Sequence, residues 1–245
     1  MTYLDRPQLP RGKPWAHNTL GAVVHLALHR WWQLARHHRT PANGGLLVER
    51  NWQSDGFRDE AQSADWRGTA RTWVEGYLAE TDAHAEPVGV ERTVATTTSR
   101  LAVSGRVDRI DDRDGDLVIV DYKTGRHGLT VDDARGSQAL ALYALATART
   151  LRRDCRRVEL HHLPTGEVLA WEHTAESLGR HLARAEEAAD ELALVTDTHT
   201  AGGDAEVLFP PRTGRHCSWC DFRRHCPEGR QAAPDLDPWA ALLAR

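Results

Sequence analysis

An Asp-Gly dipeptide between two apolar, β-rich runs constrains the fold of this chain more than any other sequence feature. The runs span residues 101–110 and 117–123, and Asp114-Gly115 lies between them. A two-residue Asp-Gly loop is typical of a β-hairpin, because both turn residues must accept positive φ. In the register that this loop predicts, Asp108 lies directly opposite Asp121.

The opposed aspartates predict a metal site. Side chains directly opposite each other have Cβ atoms about 5 Å apart, and like charges at that distance are destabilising. A hard cation such as magnesium removes this cost, because it takes ligands from one or two carboxylates together with substrate phosphates. Lys123 emerges on the same face as Asp121, and it is one of two lysines among 31 basic residues. A surface salt bridge on an ordinary hairpin is the alternative interpretation.

The hairpin sequence resembles that of a known family. It contains G-R-V-D-R-I-D followed by V-I-V-D-Y-K-T-G, and this pattern resembles the PD-(D/E)XK nuclease superfamily. It is most similar to the RecB-like exonucleases and the related four-cysteine CRISPR-associated exonucleases, over roughly residues 19 to 229. The resemblance implies an α/β fold, with a mixed central β-sheet flanked by helices and a restriction-endonuclease-like core. It also implies a metal-dependent DNA exonuclease that acts in repair or recombination. A catalytically silent DNA- or protein-binding module with a structural metal site is the alternative.

The same resemblance assigns metal ligands and a catalytic lysine. Magnesium or manganese is expected on Asp108 and Asp121, with His25 and the carbonyl of Tyr122 as further ligands. Lys123 is expected to orient the attacking water or to stabilise the transition state.

Three further residues match the family's order. Glu91 lies where a strand glutamate is usual, and we expect it to hold a second metal or a metal-bound water. Gln138 and Tyr143 follow on the helix after the hairpin and are expected to contact DNA or to brace the site. Their spacing is one residue longer than the family's, which rotates the two side chains apart on a helix.

Three cysteines near the C-terminal end form a compact thiolate cluster, Cys217-x2-Cys220-x5-Cys226. Soft sulfur ligands select zinc or iron–sulfur centres. The spacing resembles the last three ligands of the [4Fe–4S] cluster in the RecB-like enzymes, whose first ligand precedes the helix of His25.

The fourth ligand of this cluster is open. No cysteine precedes Cys155, so we expect the chain to be truncated at its N-terminal end or its start to be misassigned, with the missing ligand upstream. Cys155 itself is expected to be a buried small residue. A zinc site of three cysteines and one histidine, completed by His216 or His225, is the alternative.

The chain is expected to form one nuclease domain over residues 1–206, with an irregular lead-in over 1–17. A cysteine segment over 207–230 is expected to pack on that domain, followed by a tail over 231–245. Apolar spacing predicts helices from 19 to about 38 and from about 58 to 79, with a break at 41–45. A further helix is expected from Asp132 or Asp133 to about residue 153.

Charge and hydropathy restrict the partners. A formal net charge of −4 excludes a uniformly basic nucleic-acid binder, so a nuclease must concentrate its positive charge locally. The arginine clusters at 149–157 and 212–230 are the two candidates for contact with a phosphate backbone, and a solubilising surface is the alternative interpretation. The chain lacks a G-x-x-x-x-G-K-[ST] loop, so we expect it to act on DNA alone or with a separate helicase. No apolar run is long enough for a membrane span, and the first residues do not form a signal peptide. A cytoplasmic protein is expected.

Overall fold

The computed structural model describes residues 7–243. These residues form two compact units. One contains the described residues up to Thr19, together with Gln53–Ala64 and the residues from Ala193 onward. The other contains Leu20–Trp52 and Asp65–Leu192, and it carries the β-sheet and all residues of the predicted metal site.

The helices and strands alternate in the order that an α/β fold requires. The strands are β1 (Gly89–Thr97), β2 (Ala102–Arg113), β3 (Asp116–Lys123), β4 (Cys155–His162) and β5 (Glu167–Glu172). The α-helices among the described residues are α1 (Ala16–Trp32), α2 (Pro41–Arg50), α3 (Glu60–Ala79), α4 (Val131–Gly136), α5 (Gln138–Leu151), α6 (Ala175–Thr200), α7 (Ala205–Leu208), α8 (Pro227–Ala232) and α9 (Ala240–Leu243).

The five strands form one mixed sheet in sequence order, β1-β2-β3-β4-β5. Neighbouring strands are antiparallel except β3 and β4, which are parallel. A parallel pair needs a long crossover connection, and here the connection contains α4 and α5. The predicted α/β fold with a mixed central sheet is confirmed.

The predicted hairpin and its register are present. Asp114 and Gly115 both have positive φ, 55° and 99°. Ile110 pairs with Ile119, and the ladder between β2 and β3 continues as far as Arg109 and Val120. Side chains alternate between the two faces of each strand, so the turn chemistry determines which residues reach which face.

The two faces of the sheet have different chemistry. On one face, Ile110, Ile119 and Val158 belong to a buried apolar cluster that includes Ala141 and Ala144 of α5. The opposite face combines the buried apolar residues Val118 and Val120 with polar side chains. There the hydroxyl of Tyr122 accepts a hydrogen bond from the indole Nε1 of Trp32 in α1, 3.4 Å away. Helices therefore pack on both faces, as a buried parallel strand pair requires.

The prediction of a break at residues 41–45 was wrong. Helix α2 begins at Pro41, and the hydroxyl of Thr40 caps it by accepting the amide of Asn43 at 3.2 Å. The segment contains two glycines, Gly44 and Gly45. Gly44 is buried, however, and a Cβ atom there would lie 2.2 Å from Cδ1 of Leu78. Close helix packing, rather than backbone flexibility, accounts for this glycine.

The helix expected from Asp132 or Asp133 is in fact two helices. Thr130 is the N-cap of α4, and Asp133 completes a capping box with it. The chain then leaves the helical conformation at Ser137, whose side chain caps α5 by accepting the amide of Leu140. The apolar periodicity continues through this boundary, which explains why the break was not predicted.

Candidate active site

Three acidic residues occupy equivalent positions on three adjacent strands. In the register of β1 and β2, Val90 pairs with Arg109 and Arg92 pairs with Val107, which places Glu91 opposite Asp108. Asp108 and Asp121 are likewise the next positions beyond the last pair in the ladder of β2 and β3. Glu91, Asp108 and Asp121 therefore form a row across the sheet.

Glu91 interrupts its strand. Its φ is +49°, a conformation that non-glycine residues rarely adopt and that costs about 1–3 kcal/mol. Its side chain is 15 % exposed, and its carboxylate pairs with the guanidinium of Arg106, Nε to Oε2, at 2.7 Å. Strained backbone of this kind is concentrated at functional sites, where the surrounding structure holds it in place.

The side chain of Asp108 takes the place of a backbone acceptor between β2 and β3. Its Oδ2 accepts a hydrogen bond from the amide of Tyr122 at 2.8 Å, at the point where the ladder between the two strands has ended. The aspartate side chain thus satisfies a backbone donor that the ladder leaves free. This contact positions the carboxylate beside the backbone of the D-Y-K segment.

His25 of α1 lies over the same segment. Its Nε2 is 3.1 Å from the carbonyl oxygen of Tyr122, and its Nδ1 is 3.3 Å from Oδ1 of Asp108. Burial lowers the pKa of His25, but the hydrogen bond and charge of Asp108, with Asp121 and Glu91, outweigh burial and raise it. Helix α1 approaches the end of this segment closely: a Cβ on Gly21 would lie 3.2 Å from Oγ1 of Thr124.

One nitrogen and two carboxylates form a tight donor group. Donor atoms of His25, Glu91 and Asp108 all lie within 4.8 Å of one another, and none of the three residues is fully exposed. Imidazole and carboxylate are ligands for divalent cations such as manganese and magnesium. The residues present therefore fit a divalent metal.

Asp121 is adjacent to this group rather than a member of it. Its Oδ2 is 2.6 Å from the ammonium Nζ of Lys123. Burial raises the pKa of Asp121, and the charge of Asp108 raises it further, against the lowering effects of Lys123 and His25. Lys123 is 45 % exposed, so its charge is available to a ligand from solvent.

Some of the predicted site residues lie in the donor group and others lie outside it. Glu91, inferred from the resemblance alone, is a member of the donor group, whereas Asp121 pairs with the lysine. The carbonyl of Tyr122 accepts from His25 and so orients the imidazole. Gln138 and Tyr143 make their contacts away from the donor group.

Gln138 binds His181 of helix α6 through two hydrogen bonds. Its Nε2 donates to the carbonyl of His181 at 2.6 Å, and its Oε1 is 2.9 Å from Nδ1 of the same histidine. Tyr143 packs against β2: a Cβ on Gly105 would lie 2.2 Å from Cε1 of the Tyr143 ring. Both residues brace the elements around the site in the described structure.

A buried polar network on the opposite face of the sheet had no sequence signal. Nη1 of Arg109 donates to the hydroxyls of Tyr122 at 3.1 Å and Tyr77 at 3.0 Å, and its Nε is 2.9 Å from Asp111. The hydroxyl of Tyr77 is also 2.8 Å from Nδ1 of His161. Apart from Asp111, the partners of Arg109 come from distant parts of the chain, so no local motif marks them. The network holds the ring of Tyr122, whose backbone contacts both Asp108 and His25.

The three C-terminal cysteines lie in a second cluster, in the other unit. Cys217 is buried, Cys226 is half-buried and Cys220 is exposed. The sulfur of Cys226 accepts the amide of Gly229 at 3.3 Å. A Cβ on Gly229 would lie 3.6 Å from the sulfur of Cys217 and 3.3 Å from that of Cys226, so this glycine leaves space beside two of the sulfurs.

The three sulfurs do not form a closed zinc site. A tetrahedral zinc with Zn–S bonds of about 2.3 Å requires sulfurs roughly 3.8 Å apart. No trio of cysteine or histidine donors within 4.8 Å occurs here among residues 7–243. His216 and His225 are instead bonded to carbonyl oxygens, of Arg212 at 2.8 Å and Pro10 at 3.1 Å.

Residues of the lead-in contact the cysteine segment. The amide of Gly12 donates to the carbonyl of Asp221 at 2.8 Å, and Nη2 of Arg224 donates to the carbonyl of Pro10 at 2.7 Å. Cys155 lies elsewhere, at the start of β4 within the apolar cluster. Burial, with a smaller effect of Asp154, raises the pKa of its thiol to about 12. These facts agree with a structural role for Cys155.

The fold brings together a candidate divalent-metal site, the donor group of His25, Glu91 and Asp108, with Asp121 and Lys123 beside it. The sequence comparison agrees with this arrangement: the model of the PD-(D/E)XK nuclease superfamily matches residues 1–227. The chain belongs to this superfamily, whose members are generally metal-dependent nucleases that use divalent metals. No curated protein matches the sequence. Within residues 7–243, no helix combines the length and the apolar character of a membrane span.

Proposed function

We propose that this chain is a metal-dependent DNA exonuclease of the RecB-like type, which hydrolyses phosphodiester bonds in DNA repair or recombination. The observation that carries the proposal is the acidic row Glu91, Asp108 and Asp121, with His25 above it and Lys123 beside it. The motif around the hairpin favours the RecB-like branch over other branches of the superfamily. DNA is the proposed substrate, and a separate helicase is the proposed partner.

His25, Glu91 and Asp108 would hold the divalent metal, which supplies a Lewis acid for the scissile phosphate and activates water at neutral pH. The hydrogen bond from Nε2 of His25 to the carbonyl of Tyr122 leaves Nδ1 facing Asp108. The backbone of β3 therefore selects the tautomer whose lone pair is directed toward the carboxylates. The amide of Tyr122 holds Asp108 in the same way.

Lys123 acts on the phosphoryl group. Asp121 holds its ammonium at 2.6 Å, which places a positive charge beside the donor row before substrate arrives. Charge that develops on the nonbridging oxygens in the transition state is stabilised by such a preorganised cation. Asp121 also restrains the lysine side chain, which is otherwise partly exposed.

A cleavage assay with matched aspartate variants tests the proposal. The substrate is end-labelled single- or double-stranded DNA, with either MnCl2 or MgCl2. We expect Asp108→Asn to lower the cleavage rate at least about a hundredfold, on the scale of removing a preorganised electrostatic group. Asp116→Asn makes the same charge change at an exposed position of the same hairpin and is expected to retain full activity. Folded wild-type protein that leaves both substrates intact with both metals would refute the proposal.

The exonuclease type is tested by substrates without ends. We expect linear DNA to be degraded and covalently closed circular DNA of the same sequence to persist. RNA of the same sequence is expected to persist as well. Nicking of the circle would identify an endonuclease and overturn the RecB-like assignment while leaving the metal-dependent chemistry intact.

We further propose that the cysteine segment binds a [4Fe–4S] cluster, with zinc as the alternative. The spacing of Cys217, Cys220 and Cys226 supports this, as does the contact of Pro10 and Gly12 with the segment, since the family's remaining ligand precedes the helix of His25. Anaerobically purified protein is expected to contain iron and sulfide. Cys220→Ser should remove both, whereas Cys155→Ser should retain them. Zinc without sulfide would reject the iron–sulfur proposal.

A further inference from the structure

A basic cavity lies at the start of α6, remote in sequence from the acidic row. Its volume is about 520 Å³, and its lining includes three arginines with an indole, a hydroxyl and an imidazole: Arg135, Arg180, Arg184, Trp171, Ser177 and His181. We call it the α6 cavity. No carboxylate lines it among the described residues, and its charged lining groups are three arginines.

The arginines of the α6 cavity are only weakly neutralised. Arg135 pairs with Asp132 at 3.0 Å and Arg180 pairs with Glu176 at 2.5 Å, but in each pair both side chains are more than half exposed. Exposed pairs of this kind contribute at most about 1 kcal/mol, so a ligand can displace them. Arg184 makes no ion pair with any residue in the described part of the chain.

Two nitrogens of the lining have no protein partner. The indole Nε1 of Trp171 is buried without an acceptor in the described structure, and an indole N–H is a donor only. Arg135 lies over the same ring, 5.6 Å from its centroid. His181 is 7 % exposed, and Gln138 binds its Nδ1, so Nε2 is left for a ligand. A buried donor without an acceptor is costly, and this indole lies in the wall of the α6 cavity beside the arginines.

The helix adds to the positive field. Helix α6 has 26 residues, and the hydroxyl of Thr174 caps it by accepting the amide of Ser177 at 3.1 Å. The N-terminal end of a helix of this length carries a partial positive charge that favours anions, phosphate above all. Ser177, Arg180, His181 and Arg184 lie on one face of the helix, because their spacing follows successive turns.

We propose that the α6 cavity binds a phosphate group, either of a free nucleotide or of a nucleic-acid backbone. Guanidinium groups recognise phosphate by bidentate hydrogen bonds, and the volume suits a ligand of nucleotide size. Gln138 then has a defined role, because it holds both the imidazole and the backbone carbonyl of His181 and so positions the cavity wall. This site is separate from the acidic row, and ligand binding there does not depend on the proposed cleavage.

The test measures binding to the full chain in EDTA, so that no cleavage occurs. The ligands are inorganic phosphate, deoxyadenosine 5′-monophosphate and a single-stranded oligonucleotide, with deoxyadenosine as the phosphate-free comparison. We expect the double variant Arg180→Gln, Arg184→Gln to lower the affinity for the phosphate ligands about tenfold or more. The control is Arg50→Gln, which removes an exposed arginine at the end of α2, in the same unit.

A spectroscopic readout accompanies the affinities. The indole N–H resonance of Trp171, assigned with Trp171→Phe, should shift when phosphate ligands are added and not when deoxyadenosine is added. Loss of affinity for both mononucleotide and oligonucleotide supports a general phosphate site, and loss for the oligonucleotide alone identifies the nucleic-acid backbone as the source. Affinities equal to those of Arg50→Gln, or no binding of any phosphate ligand by wild-type protein, would overturn the proposal. If the wild-type protein cleaves no DNA but the double variant still loses affinity for phosphate ligands, the proposed function is refuted and the proposed phosphate site is supported.

Discussion

The backbone amide of Tyr122 donates a hydrogen bond to the carboxylate of Asp108 at 2.8 Å. The carbonyl of the same tyrosine is 3.1 Å from Nε2 of His25. One residue, placed between Asp121 and Lys123 in the sequence, therefore orients two members of the donor group. Its ring is 3 % exposed on the other side of the sheet, where Arg109 and Trp32 hold the hydroxyl.

Tyr122→Phe is expected to destabilise the protein by about 1–2 kcal/mol. The substitution removes the acceptor that Arg109 and Trp32 share, so two buried donors each lose one partner. The free energy of unfolding in urea measures this effect. Tyr143→Phe is the matched control, because the hydroxyl of Tyr143 makes no hydrogen bond with a described residue. Equal stabilities for the two variants would contradict a structural role for the Arg109 network.

Lys123→Arg is expected to lower the cleavage rate about a hundredfold although the positive charge is kept. The ammonium of Lys123 is a compact charge held at 2.6 Å by Asp121, whereas a guanidinium is larger and planar and binds carboxylates through a fixed fork. The measurement is the rate at saturating manganese. Lys13→Arg replaces the other lysine, which is exposed, and should leave the rate unchanged. Wild-type rates for Lys123→Arg would show that the site needs only a positive charge.

Gly105→Ala is expected to destabilise the protein by about 1–3 kcal/mol, because the added Cβ would lie 2.2 Å from the rigid ring of Tyr143. Gly76→Ala provides the opposite case. No atom lies within 4 Å of a Cβ at Gly76, which is inside α3, so alanine should stabilise the helix by about 0.5–1 kcal/mol. Thermal unfolding of both variants measures the difference. A Gly105→Ala variant more stable than wild type would show that the ring of Tyr143 can move away from β2 at little energetic cost.

The stability of the fold is expected to decline as the pH falls below about 4.5, the unperturbed pKa of glutamate. Burial alone raises the pKa of Glu159, but hydrogen bonds from His161, Arg113 and Arg157 outweigh burial and lower it. A carboxyl group with a depressed folded-state pKa stabilises the protein above its unfolded pKa, and this stabilisation is lost as acid protonates it.

Glu159→Gln isolates this contribution. The side chain is 2 % exposed, and its loss as a charged acceptor is expected to cost about 2 kcal/mol at neutral pH. Below pH 4.5 the variant should lose stability less steeply than wild type, as measured by urea unfolding across the pH range. Parallel pH profiles would show that Glu159 has an ordinary pKa in the folded protein.

Local sequence chemistry predicted the hairpin and the type of fold. Positive φ at Asp114 and Gly115 follows from the turn residues themselves, and the alternation of side chains then places Ile110 opposite Ile119. Local chemistry predicted less well where packing overrides propensity. Gly44 lies inside a helix, and it is a glycine because Leu78 occupies the space that a side chain would need. No local sequence pattern reveals that neighbour.

The sequence by itself determined the register of β2 and β3, because a two-residue turn allows the flanking strands only one register. That register fixes the strand positions of Asp108, Asp121 and Lys123. Only the tertiary structure decided that Glu91 and His25 complete the donor group with Asp108 while Asp121 pairs with the lysine. The pairing of β1 and the approach of α1 depend on contacts between segments far apart in the chain. The same holds for the α6 cavity, whose arginines come from two helices that converge only after folding.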